Sequence, residues 1–402
     1  MKILVICQYY YPVMFKLVDI CEDLVTRGHT VTVVTGLPNY PDGVIPEEYK
    51  DGKNREETHN GVKIIRCYEI ARGHGPVRLG LNYISFMLSA TRKLKQMRDC
   101  YDIIFVYQQS PVMMAYPAIR YKKRHNTPIY LYCCDIWPDS LKMYIHSEKN
   151  PIYKIVKLFS TKIYRSCNMV GVTSKPFIEY FNRVHGVSAE KLTYLPNHAE
   201  DNSRYPIETI DNGVVDFVFT GNIGIAQDIG CIIEAVDEIK DIPGFHVHFV
   251  GSGSYEETAK NLCHVKNLEK YITFHGRHPV EKMTQFYQLA DYCLLTLKAD
   301  SLVGLTMPSK LQGYMAAGKP VIAAINGAAR EVIEEADCGI SVDASNTHQL
   351  ASAMKGAIMH KDHYLDCGRR ARIYYEKHFT KERYMEQLIE SFERLIRSNG
   401  HV

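Results

Sequence analysis

The segment Met307-Pro308-Ser309-Lys310-Leu311-Gln312-Gly313-Tyr314-Met315-Ala316-Ala317-Gly318-Lys319-Pro320-Val321 carries the densest chemistry in the chain. Pro308 suits the opening of a helix, Ser309 and Lys310 fall in its first turn, and Gly318 with Pro320 ends it before an apolar run. Free amides at a helix N-terminus already draw negative charge, so a lysine there makes most sense with an anion bound. Backbone amides, the Ser309 hydroxyl and the Lys310 ammonium together suit a diphosphate, each donor facing a charged oxygen. The alternative is a Lys310 that runs along the surface with its amine in water. Two glycine segments pose a similar choice. Phe217 to Thr220 runs into Gly221-Asn222-Ile223-Gly224 and then a helix containing Gln227 and Ile229, and Gly251-Ser252-Gly253-Ser254 follows the next apolar run. Such glycines either let a phosphate approach the backbone or make tight turns. Neither segment fits GxGxxG or GxxxxGK[ST], which removes the fingerprint of a dinucleotide oxidoreductase or a P-loop NTPase.

The elements that must position these groups follow an alternating pattern. Strands are expected at Ile3 to Cys7, Thr30 to Thr35, Ile64 to Cys67, Ile103 to Tyr107, Ile129 to Cys134 and Val170 to Thr173. A helix through Leu17, Ile20, Cys21, Leu24 and Val25, stopped by Gly28, and further helices near 82–98, 111–124 and 151–166 make this an α/β domain on a mainly parallel sheet. The stretch 201–213 is rich in turn formers and reads as a linker. A second series follows, with strands at Phe217 to Phe219, Val247 to Val250, Ile272 to His275, Tyr292 to Leu297 and Val321 to Ala324. Its first helix shows a one-sided stripe of Ile229, Ile232, Ile233, Val236 and Ile239. The expected division is 1–200, a linker at 201–213, 214–380, and a terminal amphipathic helix in 381–402.

With 402 residues, 46% apolar and 23% charged, the composition is that of a folded globular protein and excludes wholesale disorder. Residues 1–200 hold 27 basic and 18 acidic side chains, a balance of +9, while the remainder is −6. The basic half suggests an anionic partner, a membrane surface before a nucleic acid, since no aromatic-basic recognition module repeats. Twelve scattered cysteines without a CxxC pair indicate neither a zinc cluster nor a redox site and suit a reducing compartment. No apolar stretch reads as a transmembrane span and the opening residues read as no secretory signal, so a cytoplasmic chain is expected.

The segment from Pro308 to Ile322 resembles the donor-nucleotide region of retaining glycosyltransferases of family 4, especially bacterial members that build capsule, O-antigen or exopolysaccharide. Tyr9-Tyr10-Tyr11-Pro12, Leu24 to His29, Gly36-Leu37-Pro38-Asn39-Tyr40-Pro41-Asp42-Gly43, Asp135-Ile136-Trp137-Pro138-Asp139-Ser140, Leu195-Pro196-Asn197 and Thr220 to Gln227 are similar to segments of that group, in the expected order over nearly the whole chain. The resemblance implies a GT-B fold, two Rossmann-like domains with a cleft between them and a terminal helix crossing back to the first. A nucleotide sugar would sit on the second domain and the acceptor on the first. Gly221, Asn222, Gly224 and Gln227 would approach the donor, Ser309 and Lys310 would hold its diphosphate, and Arg277 falls where the family holds the nucleobase, though a surface arginine has the same sequence context. Asp135 would meet acceptor or donor hydroxyls, whereas Asp139, one helical turn on, would only cap a helix. His198 would touch a substrate or fix the hinge. Asn39 and Tyr40 would form an acceptor wall, or a turn held by Asn and Pro.

This sequence also departs from that pattern. Where many members place two glutamates eight apart, it has Leu305 and Gly313, so Gln312 is the remaining candidate for the ribose. The usual basic pair near the first glycine loop is represented by Asn222 and Gln227, and Met14-Phe15-Lys16 replaces the usual glycines of the first domain. The implied reaction is same-face, configuration-retaining transfer without a covalent carboxylate or a bound metal, and no cofactor beyond the donor itself. The expected donor is UDP-linked, with GDP as the alternative, carrying an N-acetylated hexose or deoxyhexose. The expected acceptor is a saccharide on a polyprenyl diphosphate at the cytoplasmic membrane face. Tyr83, Phe86, Met87 and Leu94 with Arg92, Lys93, Lys95 and Arg98, and the run Lys122 to His125, are the expected membrane contacts. A nucleotide-sugar epimerase on the same scaffold and a non-catalytic carbohydrate- or membrane-binding subunit are the alternatives.

Overall fold

The computed structural model describes residues 1–73, 75–145, 147–199, 207–299 and 303–400. The chain divides into two units, Met1–Leu195 with Met385–Val402, and Pro196–Tyr384. Of the expected linker, 201–206 lie outside the described residues. Residues 207–213 belong to unit 2, where Ile210 N donates to Gln288 O at 2.8 Å and Thr209 Oγ1 to Ala290 O at 3.2 Å.

Unit 1 runs β1 (Lys2–Ile6), α1 (Lys16–Thr26), β2 (Thr30–Thr35), β3 (Glu56–His59), β4 (Val62–Arg66), α2 (Pro76–Gln96), β5 (Ile103–Gln108), α3 (Tyr116–His125), β6 (Ile129–Cys133), α4 (Pro151–Ser166), β7 (Met169–Val172), α5 (Lys175–His185) and β8 (Leu192–Tyr194). Its eight strands lie in the order β3-β4-β2-β1-β5-β6-β7-β8, with only β3 antiparallel. The apolar runs at β1, β5 and β6 are buried on both faces, as parallel strands sandwiched between helices must be. The outermost strand β3 reads Glu-Glu-Thr-His, a charged edge whose lack of apolar alternation hides it in the sequence. α1 turns Leu17, Val18, Ile20, Cys21 and Leu24 inward and stops at Gly28, whose φ of 85° suits glycine.

Unit 2 runs β9 (Val215–Thr220), α6 (Ile229–Ile239), β10 (Phe245–Val250), α7 (Glu256–Lys266), β11 (Ile272–Gly276), α8 (Met283–Leu289), β12 (Tyr292–Thr296), α9 (Ser309–Ala316), β13 (Val321–Ala324), α10 (Ala328–Ala336), β14 (Gly339–Val342), α11 (Thr347–Met359) and α12 (Leu365–His378). Its six strands are all parallel, in the order β11-β10-β9-β12-β13-β14. The order reverses between β9 and β12, the switch point where such sheets bind ligands beyond the strands' C-terminal ends. α6 buries more than the one-sided stripe, adding Cys231 and Ala235, because it packs against α7 and α11 as well as the sheet. The final helix, α13 (Lys381–Asn399), returns to unit 1 through its C-terminal part, where the Phe392 ring lies 5.3 Å from Phe105 and 5.4 Å from Tyr130. Among the described residues no helix is long and apolar enough to cross a membrane.

Candidate active site

In unit 2 the glycines predicted to approach a ligand stand at neighbouring strand ends. Gly221 N donates to Val250 O and Gly251 N to Gly276 O, both at 2.8 Å, so the loops after β9, β10 and β11 are tied into one floor. Gly251 could be nothing else: an ideal Cβ there would lie 1.8 Å from the Gly221 carbonyl oxygen. Asn222 and Gln227 close the first loop on itself, Asn222 Nδ2 donating to Gln227 Oε1 at 3.1 Å. The sequence placed Gln227 inside a helix; instead it ends a short 3-10 turn, Asp228 follows at φ 49°, and α6 starts at Ile229. The helix whose first turn demonstrably reaches this floor is α9, through Lys310 beside Gly221.

α9 spans Ser309–Ala316 behind Pro308, and Gly318 leaves it at φ 65°, as the sequence led one to expect. Tyr314 pins this helix across the switch point. Its hydroxyl accepts from Thr220 N at 3.0 Å and donates to Leu294 O at 3.2 Å, joining α9 to the ends of β9 and β12. Sequence reading gave Tyr314 no role; the spacing from Lys310, one helical turn, was the available signal. With the helix so fixed, Lys310 Nζ lies 3.9 Å from the centroid of the Phe219 ring, and its Cε is 3.0 Å from where a Cβ on Gly221 would be. It has no ion pair or hydrogen bond among the described residues, and burial holds its amine down at about 7. Beside it Ser309 is exposed, as are Gly221 and Asn222. The arrangement is a half-buried cation, a helix N-terminus and glycine amides around one exposed floor, which suits a phosphate-bearing ligand.

The other predicted donor contacts fall in two places. Arg277 is exposed just beyond β11, one residue past the Gly276 that joins the glycine floor. Gln312 is buried, and its Nε2 donates to the carbonyl of Asn197, so its amide is turned to the start of unit 2. Gly313 faces Tyr287, whose hydroxyl would lie 3.4 Å from an added Cβ. A second polar recess, where Lys319 Nζ donates to Thr209 Oγ1 at 2.7 Å and Lys361 pairs with Asp291 at 2.9 Å, lies at the opposite, N-terminal ends of the strands. His198 is buried with its ring 5.1 Å from Tyr384.

In unit 1 Asp135 stands just past β6, where Ser140 Oγ and Trp137 Nε1 donate to its carboxylate, the latter at 3.2 Å. Burial raises its pKa above the usual carboxylate value against the pull of those donors. Asp139 does not share a helical turn with it. A bend separates them, and Asp139 is held by Tyr153, Tyr180 and Lys142; burial opposes its charge, but those donors prevail and its pKa falls. Asn39 is buried too, its Nδ2 donating to Leu37 O and to Glu69, its Oδ1 accepting from Arg72 N at 3.0 Å. It organises the loop from Gly36 to Gly43 and leaves Tyr40 as the outward member, with Tyr9 and Phe15 rings 5.5 and 5.4 Å away and the Arg72 guanidinium 5.4 Å from its own ring.

Beneath that loop lies Glu69, which the sequence reading missed because nothing local marks a buried acid. Gln8 Nε2 donates to it at 3.1 Å, and Gly36 has no room for a Cβ against its carboxyl. Burial raises it to about 8, with the hydrogen bonds from Gln8, Asn39 and Asn82 pulling the other way. Folding therefore favours its protonated form: the contribution is complete below the ordinary value of 4.5 and is lost as pH rises through about 8. Melting curves from about pH 5 to about pH 9 should show wild type losing several degrees relative to Glu69→Gln, at about 2–4 °C per kcal/mol for a unit of this size. Parallel curves would remove the buried acid from this account.

Two family models divide the chain between them: "Glycosyltransferase Family 4" matches residues 17–201 and "Glycosyl transferases group 1" matches 205–374. The chain belongs to the family 4 glycosyltransferases. This glycosyltransferase is 24% identical over 414 aligned positions to the putative colanic acid biosynthesis glycosyl transferase WcaI of Escherichia coli, covering 97% of this chain and 99% of that one. It is 23% identical to the probable glycosyltransferase WbjE of Pseudomonas aeruginosa, a match that spans 60% of this chain and 62% of the relative. Among solved structures, sucrose-phosphate synthase of Thermosynechococcus elongatus superposes with a TM-score of 0.76 over 99% of both chains at 16% identity. Anabaena Alr3699/HepE in complex with UDP gives 0.73 at 15% identity over 98% of this glycosyltransferase and 100% of that chain. At such identities the structural likeness establishes the fold: two α/β domains of the GT-B class.

Proposed function

We propose that this glycosyltransferase transfers a sugar, with its configuration retained, from a nucleoside-diphosphate sugar to a saccharide carried on a polyprenyl diphosphate, in the assembly of a surface polysaccharide. The observation that carries the donor side is Lys310, a half-buried cation set between the α9 N-terminus and the glycine floor. As the glycosidic bond of the donor lengthens, charge grows on the departing diphosphate. Lys310, Ser309 and the opening amides of α9 are placed to stabilise it, the kind of preorganised electrostatics that lowers such barriers most. An acceptor hydroxyl attacks from the face the diphosphate leaves, and a donor phosphate oxygen takes its proton, so the work of unit 1 is orientation. Asp135, with Ser140 and Trp137 fixing its carboxylate, and Tyr40 on its aromatic base are the groups proposed to hold acceptor or sugar hydroxyls.

UDP is the preferred nucleotide, with support from the UDP complex of the Anabaena neighbour, and an N-acetylated hexose or deoxyhexose is the preferred sugar. The polysaccharide setting draws on the colanic acid relative. The lipid-borne acceptor would bring the enzyme, as a cytoplasmic protein, to an anionic membrane face. The proposed clamp of Lys310 and the α9 amides would itself supply positive charge to the diphosphate, so donor binding is expected without added metal.

Calorimetry with UDP, GDP and their sugars, first without and then with Mg²⁺, tests the reading. Selective binding of one nucleotide family without metal is expected, at dissociation constants between about 1 μM and 1 mM. A folded preparation that binds none of them would sink the donor assignment.

A further inference from the structure

The parallel pairing of β10 with the outermost strand β11 slips near its end. Val247, His248 and Phe249 stand opposite Ile272, Thr273 and Phe274 in turn, but Val250 stands opposite Gly276, so His275 is one residue too many and forms a bulge. Such bulges re-aim side chains, often beside a site. This one lies at the rim of the glycine floor, where the Gly276 carbonyl accepts from Gly251 N and the exposed Arg277 comes next. Two further bonds tie it down. The His275 carbonyl accepts from His278 Nε2 at 3.1 Å, and the His275 ring meets His248, Nε2 to Nδ1, at 3.0 Å.

The ring-to-ring bond belongs to a longer chain. His248 Nε2 donates to Asp216 Oδ1 at 2.9 Å, and Asn212 Nδ2 donates to the second oxygen of that buried carboxylate at 2.7 Å. With its Nε2 proton committed to Asp216, neutral His248 offers a lone pair at Nδ1, so His275 must carry its own proton on Nε2. One added proton is accommodated: His248 then donates from Nδ1, and His275 accepts by holding its proton on Nδ1 instead. A second is not, because two N–H groups would meet head-on across 3.0 Å. Burial first, then the imidazoles of His248, His278 and His246, hold His275 below its ordinary value of 6.5. The bond is therefore intact at neutral pH and breaks as acid forces the second proton on. The titratable groups around the pair are Asp216 from β9, His246 from β10 and His278 from the turn after β11, while α8 presents the apolar Phe286 ring 5.1 Å from His275. The bonds at the Gly276 and His275 carbonyls come from donors that protonation does not remove, which leaves the imidazole pair as the acid-sensitive tie.

We propose that His275 is a positioning residue for the donor: through His248 and Asp216 it holds the bulge that sets the Gly276 carbonyl and Arg277 at the rim of the glycine floor. It rests on the reading above for the presence of a nucleotide at that floor.

His275→Phe keeps a ring against Phe286 and removes both nitrogens, whereas His275→Gln offers a donor and an acceptor at similar reach and does not titrate. At about pH 7.5, UDP or GDP, whichever the wild type binds in calorimetry, should bind the phenylalanine variant roughly three- to tenfold more weakly, the worth of one hydrogen bond, and the glutamine variant within about twofold of wild type. At about pH 5 the wild type should fall roughly three- to tenfold behind the glutamine variant. Titration of Lys310 and of the nucleotide phosphate is common to all three proteins and cancels in these ratios. Wild-type affinity in the phenylalanine variant, or a ratio of wild type to glutamine variant that is the same at both pH values, would overturn the proposal. Hydrogen exchange at the Gly251 amide, compared between proteins at one pH, reads the anchor without nucleotide. Faster exchange is expected in His275→Phe at neutral pH, and in the wild type relative to His275→Gln in acid. If neither nucleotide binds the wild type, the donor reading fails by itself, and equal Gly251 exchange in all three proteins would still sink the anchor. Nucleotide binding that all three share at both pH values sinks the anchor and leaves the donor site standing.

Discussion

Lys310→Ala is expected to reduce turnover by roughly 100- to 1000-fold, the scale of losing one preorganised charge stabiliser at a reacting centre. The lysine lies over Phe219 with burial holding its amine near 7, so in the empty site it is a cation kept at a cost. A bound diphosphate removes that cost and draws the amine back towards its ordinary value of 10.5. Binding near pH 8 should then take up as much as about one proton per nucleotide, seen as binding enthalpies that change with the ionisation enthalpy of the buffer. Lys310→Met should abolish that uptake while keeping the packing against Phe219. The sign for stability follows. Between about 7 and 10.5 the unfolded chain binds the extra proton, so the donor-free protein should grow more stable as pH rises through that range, and saturating nucleotide should flatten the trend. Wild-type turnover in the alanine variant, or equal proton uptake in the methionine one, would remove Lys310 from the donor site.

Gly251→Ala is expected to destabilise unit 2 by on the order of 3 kcal/mol or more and to abolish nucleotide binding in whatever remains folded. Its φ of 150° already suits glycine, and the added methyl would lie 1.8 Å from the Gly221 carbonyl oxygen and 2.8 Å from its carbon. Both are backbone, so no rotamer change relieves the overlap; the loops after β9 and β10 must part. Gly224→Ala is the matched control. There the new methyl meets Asn222 Nδ2 at 2.6 Å and Gln227 Oε1 at 2.7 Å, side-chain ends that can swing aside. Urea unfolding and nucleotide calorimetry on both should separate a broken floor from a rearranged rim. Equal stability of the two variants would show that the loops can part without cost.

Much of this was legible because parallel sheets write themselves in apolar runs. β2 and β13 fall at the expected residues, and Pro308 with Gly318 brackets α9 as local chemistry requires. What sequence could not show was set by tertiary neighbours. On α2 the buried Tyr83, Phe86 and Leu94, expected at a membrane, and the exposed Val77, Leu81, Ile84 and Leu88 are both apolar stripes, so periodicity alone could not tell core from surface. Gln227 was read into a helix because nothing in its own residues announces the left-handed Asp228 that separates the turn from α6. Glu69 and Tyr314 depend wholly on partners distant in the chain, Gln8 and Asn39 for one, Thr220 and Leu294 for the other. Asn39 was read as either an acceptor wall or a turn; its amide is spent on the loop itself, leaving Tyr40 to face outward.

The return of α13 to the first unit bears on how the polypeptide is made. Phe392 closes against Phe105 and Tyr130, and Asn399 Nδ2 reaches the Asn126 carbonyl at 2.6 Å, so part of the first core is supplied by residues translated after the whole of the second unit. Pro196–Tyr384 forms an unbroken stretch and can close as it leaves the ribosome. Residues 1–195, although synthesised earlier, keep an uncovered aromatic face until α13 emerges. A nascent chain stalled before residue 385 would thus present that face to chaperones.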